Sequence, residues 1–441
     1  MLPSPRPVTV ALHHVGCKLN QAEIEALAHA FGRRGYEVVP FAGTADVYVV
    51  NTCTVTGSGD ADSRRAVRRA LRVNPRATVV ATGCYAQRRP DELRRAGAHL
   101  VVGNGEKARL LDHLDALLDG REGPSFDPAD PPRTRTFLQI EGEVPGGRTR
   151  GTVQVQDGCD EHCTYCIIPK VRGRSVSRPV PEILTQARRM IASGYRELAL
   201  TGVNTGSYGR DRGETEGLVQ LVTELLRLDG LERLRLNSIE PGELSDALID
   251  LAASSPRICR HFHVPLQSGD DAVLRRMGRR YTRAAYAGRV ERLAAAIPDC
   301  AIGADVMVAF PGESDEAFAN TAGLLTDLPL TYLHVFPYSQ RADTAAVRLA
   351  GGPAPDVART RVRQLIDLGD RKRLTFHRSF VGRRLRILVE DRPDQGSGMA
   401  VGLSDNYIKG LLSRESARPN ELVDLQVTAA REDLVYGERA A

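Results

Sequence analysis

Thr152-Val153-Gln154-Val155-Gln156-Asp157-Gly158-Cys159-Asp160-Glu161-His162-Cys163-Thr164-Tyr165-Cys166-Ile167-Ile168-Pro169 is the stretch on which the fold turns. A short β-forming run, 152–156, feeds a glycine and then three cysteines at CxxxCxxC spacing. Five more apolar runs follow at 197–201, 233–238, 260–264, 301–309 and 332–336. Between them lie stretches of helical period at 181–193, 218–228, 244–253, 272–296 and 316–325. Such alternation builds a parallel sheet covered by helices. Six βα units are two short of the eight that close a TIM barrel. The expected architecture is an open (βα)6 partial TIM barrel, α/β in class. Its site should lie at the C-terminal edge of the strands, where the cysteine loop also falls.

Upstream, strand-like runs at 9–15, 46–50, 77–81 and 99–102 alternate with helical stretches at 21–33, 62–73 and 107–118. They imply a Rossmann-like parallel sheet over residues 1–120. Residues 121–150 are rich in Pro, Gly, Asp and Arg and read as a linker, with a short strand-like piece at 136–140. Downstream, a helix at 356–375 closes the central domain, 151–377. Runs at 384–390, 399–411 and 422–429, separated by Gly, Asn and Pro turns, imply a small all-β barrel over 378–441. No apolar run approaches the ~18–20 residues that span a bilayer. The first ten residues lack the core of a secretory signal, so a cytoplasmic setting is expected.

In that setting eight cysteines are not a disulfide framework. Cys159, Cys163 and Cys166 offer three thiolates, enough for three irons of a 4Fe–4S cluster. The fourth iron then stays open to the amino and carboxylate groups of S-adenosylmethionine, whose reductive cleavage releases an adenosyl radical. A structural zinc site is the competing reading. Zinc favours four ligands in two separated pairs, and His162 adjoins Cys163 too closely to serve as the fourth. Cys17, Cys53 and Cys84 each end a strand-like run, two of them beside a glycine. In a parallel sheet those ends share one edge, where ligands bind. Either a second cluster or three buried structural cysteines fits that pattern. Cys259 and Cys300 begin apolar strands and read as core.

The stretch Cys163-Thr-Tyr-Cys-Ile-Ile-Pro169, followed by Arg172-Gly173-Arg174-Ser175, resembles the radical S-adenosylmethionine methylthiotransferases. Gly16-Cys17-Lys18-Leu19-Asn20-Gln21 is similar to the motif of the branch acting on N6-threonylcarbamoyladenosine in tRNA. Further matches are Leu200-Thr201-Gly202-Val203-Asn204, the run from His263 to Gly269, Met277 to Tyr281, Phe310 to Glu313, and His334 to Ser339. Asp405-Asn406-Tyr407-Ile408 resembles the RNA-binding TRAM domain. The resemblance implies conversion of that base, on the 3′ side of the anticodon, into its 2-methylthio derivative. It implies two 4Fe–4S clusters, the second on Cys17, Cys53 and Cys84, and two S-adenosylmethionines per turnover. The partners implied are a tRNA anticodon stem-loop, an electron donor (flavodoxin-like or similar) and a sulfur source. Thr201, Gly202, Asn204, Ser238, Glu240, Gln267 and Ser268 end the second to fourth barrel strands and are the implied S-adenosylmethionine contacts, with loop and turn chemistry as the alternative. Two departures stand out: Ala309 replaces the more usual glycine before Phe310, and Arg341 to Thr344 lacks a Pro-Gly turn.

Charge adds a weaker signal. Sixty basic against fifty-five acidic residues leave +5. Arg64, Arg65, Arg68, Arg69 and Arg72 form a helical stripe, Arg275, Arg276, Arg279, Arg280 and Arg283 another, and Arg371 to Arg386 lead into the β-barrel. Such patches suit phosphates. The alternative substrates are isopentenyladenosine in tRNA and a ribosomal-protein aspartate. The alternative of another class is a zinc-stabilised, non-catalytic RNA-binding protein.

Overall fold

In a computed structural model, which describes residues 7–121, 136–140 and 149–440, the chain packs into two units. Of the described residues, the first takes 7–121, 136–140, 156–178 and 339–347, and the second takes 149–155, 179–338 and 348–440.

The first unit is built on β1 (Thr9–His14), β2 (Glu37–Val39), β3 (Val47–Thr52), β4 (Thr78–Gly83) and β5 (Leu100–Val102). All pairings are parallel, in the order β2-β1-β3-β4-β5. Every residue of β3 is buried. Val47 and Val49 join Leu27 and Phe31 on one face; Tyr48 and Val50 join Val67 and Ala70 on the other. Helices therefore cover both faces, which is why the strands read as continuous apolar runs. The three-residue edge strand β2, largely exposed, is too short to carry a period and was not expected. Residues 136–140 form no strand. Phe137 and Ile140 are the buried pair, and a spacing of three would put them on opposite faces of a ladder.

After β6 (Arg150–Gln154), which belongs to the second unit, the chain returns to the first with a short antiparallel ladder of β7 (Gln156–Asp157) and β8 (Val176–Ser177). The second unit continues with β9 (Glu197–Thr201), β10 (Arg233–Leu236), β11 (His261–His263), β12 (Ala301–Val308) and β13 (Tyr332–Pro337). They form parallel sheets β6-β9-β10 and β11-β12-β13, joined by one parallel bridge, Leu234 to Ile258. This is the open six-stranded arrangement expected. Cys259 and Cys300 are core residues at the strand starts. The helix Pro355–Arg378 leads to a closed barrel of β14 (Arg384–Val389), β15 (Ala400–Ser404), β16 (Lys409–Leu412), β17 (Leu422–Ala430) and β18 (Val435–Arg439). The run 399–411 is two strands, because Asp405 to Tyr407 turn back with Tyr407 at φ +66°.

The expected stripe from Arg275 to Arg283 does not form. The helix Asp271–Arg276 stops before Gly278, at φ +74°, and the next begins at Arg283. Arg279 turns inward to an ion pair with Glu240. The stripe on Gly57–Val73 is real: Arg65, Arg68, Arg69 and Arg72 are exposed, while Arg64 bonds Tyr85. Among the described residues no helix is long and apolar enough to cross a membrane.

Candidate active site

Cys17, Cys53 and Cys84 follow β1, β3 and β4, three neighbouring strands, so all three lie at the C-terminal edge of one sheet. Their closeness is visible through the glycines. A Cβ on Gly16 (φ +90°) would sit 2.7 Å from the Cys53 sulfur, and one on Gly59 3.3 Å from it. Gly83 (φ +97°) approaches Thr52 so tightly that a Cβ would lie 2.5 Å from its carbonyl oxygen. Any side chain at Gly16 or Gly83 would prise the strand ends apart. Burial pushes the Cys53 thiol up to about 12, and charge on Cys84 adds to the rise. Such a thiol becomes a thiolate only when a cation compensates for the lost water.

The CxxxCxxC loop lies in the same unit. The Cys159 N–H donates to the Gly173 carbonyl at 3.1 Å, and the Cys166 N–H to Cys163 at 3.0 Å. Gly158 has no room for a side chain, since a Cβ would meet the Arg174 carbonyl at 1.9 Å. All three cysteines are half-buried.

Arg172 ties this segment to the sheet edge. Its guanidinium is fully buried and donates to Glu23 at 3.0 Å, Asp157 at 2.9 Å, Asn20 at 2.7 Å and the Cys84 sulfur at 3.2 Å. Glu23 also accepts from Lys107 at 2.6 Å and Asn51 at 2.8 Å. Burial opposes the charge on Glu23, but Arg172 and Lys107 hold its carboxyl far below the usual range. Two cations therefore stand beside the thiols, with two buried carboxylates balancing them. Sequence reasoning missed Glu23, Lys107 and the role of Arg172, although Asn20 and Arg172 lie inside quoted motifs.

In the second unit the expected residues gather at the C-terminal ends of the strands. Thr201 is the buried last residue of β9, followed by Gly202 and Asn204. The Asn204 amide donates to Glu243 at 2.9 Å. Burial pushes the Glu243 carboxyl up to about 7, against the pull of Arg210. Glu243 was also missed; its one sequence signal is a glutamate three residues after Glu240, a capping box. Ser238, Gln267 and Ala309, just beyond β10, β11 and β12, sit at φ +58°, +65° and +64°. Backbone strain of this kind gathers at functional sites. The Gln267 amide oxygen is buried without a hydrogen-bond partner among the described residues, as suits a side chain awaiting a ligand. Ser268 serves the loop: it faces Thr321 at 3.3 Å and accepts the Asp270 N–H at 3.3 Å. At φ +64° Ala309 holds a left-handed backbone that glycine adopts without strain. Ala309→Gly is expected to stabilise the protein by about 0.5–1 kcal/mol, by relieving the left-handed backbone. Denaturant midpoints test this, and a lower midpoint would count against it.

The family described as uncharacterized protein family UPF0004 matches residues 9–103, and the Radical SAM superfamily matches 153–325. A protein of Bacillus subtilis named threonylcarbamoyladenosine tRNA methylthiotransferase MtaB is 37% identical over 426 residues, covering 96% of this chain and 94% of its own. The protein of that name from Aquifex aeolicus is 41% identical, over 86% of this chain and 92% of its own. The chain belongs to this radical SAM methylthiotransferase family. For a methylthiotransferase with a radical SAM domain, S-adenosylmethionine and a 4Fe–4S cluster are the cofactors the family requires. Among solved structures, the radical S-adenosylmethionine methyltransferase TsrM from Kitasatospora setae shares the fold, with a TM-score of 0.54 at 18% identity over 75% of each chain.

Proposed function

We propose that this methylthiotransferase converts N6-threonylcarbamoyladenosine, on the 3′ side of the anticodon, into 2-methylthio-N6-threonylcarbamoyladenosine. The observation that carries the reading is the gathering of Cys17, Cys53 and Cys84 at one sheet edge, in the same unit as the CxxxCxxC loop. Cys159, Cys163 and Cys166 would hold the radical SAM cluster. Cys17, Cys53 and Cys84 would hold an auxiliary one, a donor set suited to iron–sulfur rather than to zinc in having three thiolates and no fourth. When bound, these groups and two S-adenosylmethionines supply the adenosyl radical, the sulfur and the methyl group.

The chain's own residues bind, orient and compensate charge. Arg172 donates to the Cys84 sulfur and fixes its place at the sheet edge. Gly16 and Gly83 keep the strand ends close enough for the three sulfurs to face one group. Thr201, Gly202, Asn204, Ser238, Glu240, Gln267 and Ser268 would form the S-adenosylmethionine site, with the Gln267 amide oxygen as a direct acceptor and Ser268 shaping its loop. Glu240, ion-paired with Arg279, would act by fixing the 3-10 turn Pro241–Glu243.

The domain division follows the same reading: residues 1–120 as the methylthiotransferase domain, 121–150 as linker, 151–377 as the radical SAM core and 378–441 as a TRAM domain. The closed β-barrel would contact the anticodon stem-loop. Arg384 and Arg386 are exposed there, whereas Arg383 is engaged with Asp299 and fits phosphate less well. A flavodoxin-like electron donor, a sulfur source and a cytoplasmic setting complete the proposal. Anaerobic reconstitution with tRNA, S-adenosylmethionine and a reductant, followed by nucleoside mass spectrometry, tests it. The expected product is the methylthio-threonylcarbamoyl nucleoside. Methylthiolation of isopentenyladenosine, or of a ribosomal-protein aspartate, would overturn the choice of substrate.

A further inference from the structure

His263, Asp305 and His334 stand on three neighbouring strands of the second unit, β11, β12 and β13. The register pairs Asp305 directly with His334. One ligand atom from each of the three lies within 4.8 Å of the others. His263 Nε2 is 2.9 Å from Asp305 Oδ1, and His334 Nδ1 is 3.4 Å from the same oxygen. Two ligand atoms at about 2.1 Å from a metal lie about 3.0–3.4 Å apart, depending on whether the geometry is octahedral or tetrahedral. The two separations to Asp305 fall at that span, and the two imidazole nitrogens lie within 4.8 Å of each other.

The surroundings fit as well. The Tyr332 hydroxyl lies 3.1 Å from His263 Nδ1, which leaves Nε2 as the outward donor. A metal-bound histidine characteristically has its second nitrogen held in this way. Gly303 makes the contact possible, because a Cβ there would lie 2.0 Å from the Tyr332 ring. Tyr332 also bonds His261 Nε2 at 2.7 Å, so the hydroxyl is fixed from both sides. His334, 60% exposed, is the member of the three that lines a cavity of about 710 Å³, together with Tyr332, Arg373 and Tyr407.

We propose that His263, Asp305 and His334 form a binding site for one divalent transition-metal ion of the zinc class. Two imidazoles and a carboxylate, with no thiolate, suit zinc or ferrous iron rather than magnesium or calcium. Three protein ligands leave a coordination position toward the cavity for water or an anionic group. The ion would pin the last three strands of the open barrel together.

The test uses the anaerobically reconstituted holoenzyme, titrated with zinc chloride, desalted, and analysed for zinc and iron together. One zinc per chain above the iron content is expected, with nitrogen and oxygen neighbours in X-ray absorption. His334→Ala, at an exposed position that leaves packing intact, should weaken retention at least ~10-fold, and Tyr332→Phe should weaken it ~10–100-fold. Absence of retained zinc, sulfur neighbours at the zinc, or retention unchanged in His334→Ala would each overturn the site. None of these readouts depends on methylthiolation, so the site and the proposed function stand or fall separately.

Discussion

Cys53→Ala is expected to leave 5′-deoxyadenosine formation intact while methylthiolated product falls to background; Cys163→Ala is expected to abolish both. The split follows from where the two sulfurs stand. Cys163 belongs to the loop after β7, where the radical SAM cluster would sit, so its loss removes the source of the radical. Cys53 follows β3 at the sheet edge, beside Gly16 and Gly59, and would serve only sulfur delivery. Iron analysis supplies a second readout: each variant should keep about four irons of about eight. The Cys53 thiol is buried and its hydrogen bond is to the Val55 backbone, beyond β3, so alanine there is compatible with folding. Methylthiolated product from Cys53→Ala at the parent rate would remove the auxiliary site from the mechanism. Loss of deoxyadenosine in the same variant would show that the two cysteine sets are not separable.

Much of this arrangement was legible in the amino-acid sequence because the chemistry there is local. β9 spans the residues expected, 197–201, since a strand buried on both faces is an unbroken apolar run bounded by polar residues. The three strand-end cysteines were legible because a cysteine after such a run, with glycine beside it, is a local pattern that the parallel topology turns into a cluster. What escaped was long-range. Glu23 and Lys107 occupy positions in helical segments where a charge ordinarily meets solvent, and only the fold shows them paired at 2.6 Å. Arg235 lies on β10, in the run Arg233-Leu234-Arg235-Leu236. It is fully buried against Glu197 at 2.8 Å and donates to the carbonyls of Ser404 and Asp405, anchoring the β15–β16 turn to the partial barrel. No pattern of spacing encodes a partner 170 residues away. The stripe expected from Arg275 to Arg283 fails for the converse reason: the spacing is helical, but Gly278, at φ +74°, breaks the helix between Arg276 and Arg283.

Arg172→Met should destabilise the first unit by about 3–5 kcal/mol, the cost of stranding buried carboxylates without their cation. Asp157 would lose the Arg172 bond at 2.9 Å and keep that from the Gly158 N–H at 2.7 Å, while Glu23 would still hold Lys107 and Asn51. Both carboxylates lose a buried ion pair, and Glu23 keeps a second one with Lys107. The double variant Asp157→Asn/Arg172→Met should recover part of the loss, because a neutral amide is cheaper to bury than an unpaired carboxylate. Acid dependence gives an independent check. The folded state holds the Glu23 carboxyl well below its ordinary value of 4.5, so its stabilisation is present above that pH and is lost as pH falls further. With Arg172 gone, that depression shrinks, and the acid limb of the stability curve should flatten. Urea unfolding between pH 3 and pH 7 measures both effects. If Arg172→Met unfolds at the parent midpoint with an unchanged acid limb, the guanidinium is not the clasp between the CxxxCxxC segment and the sheet edge.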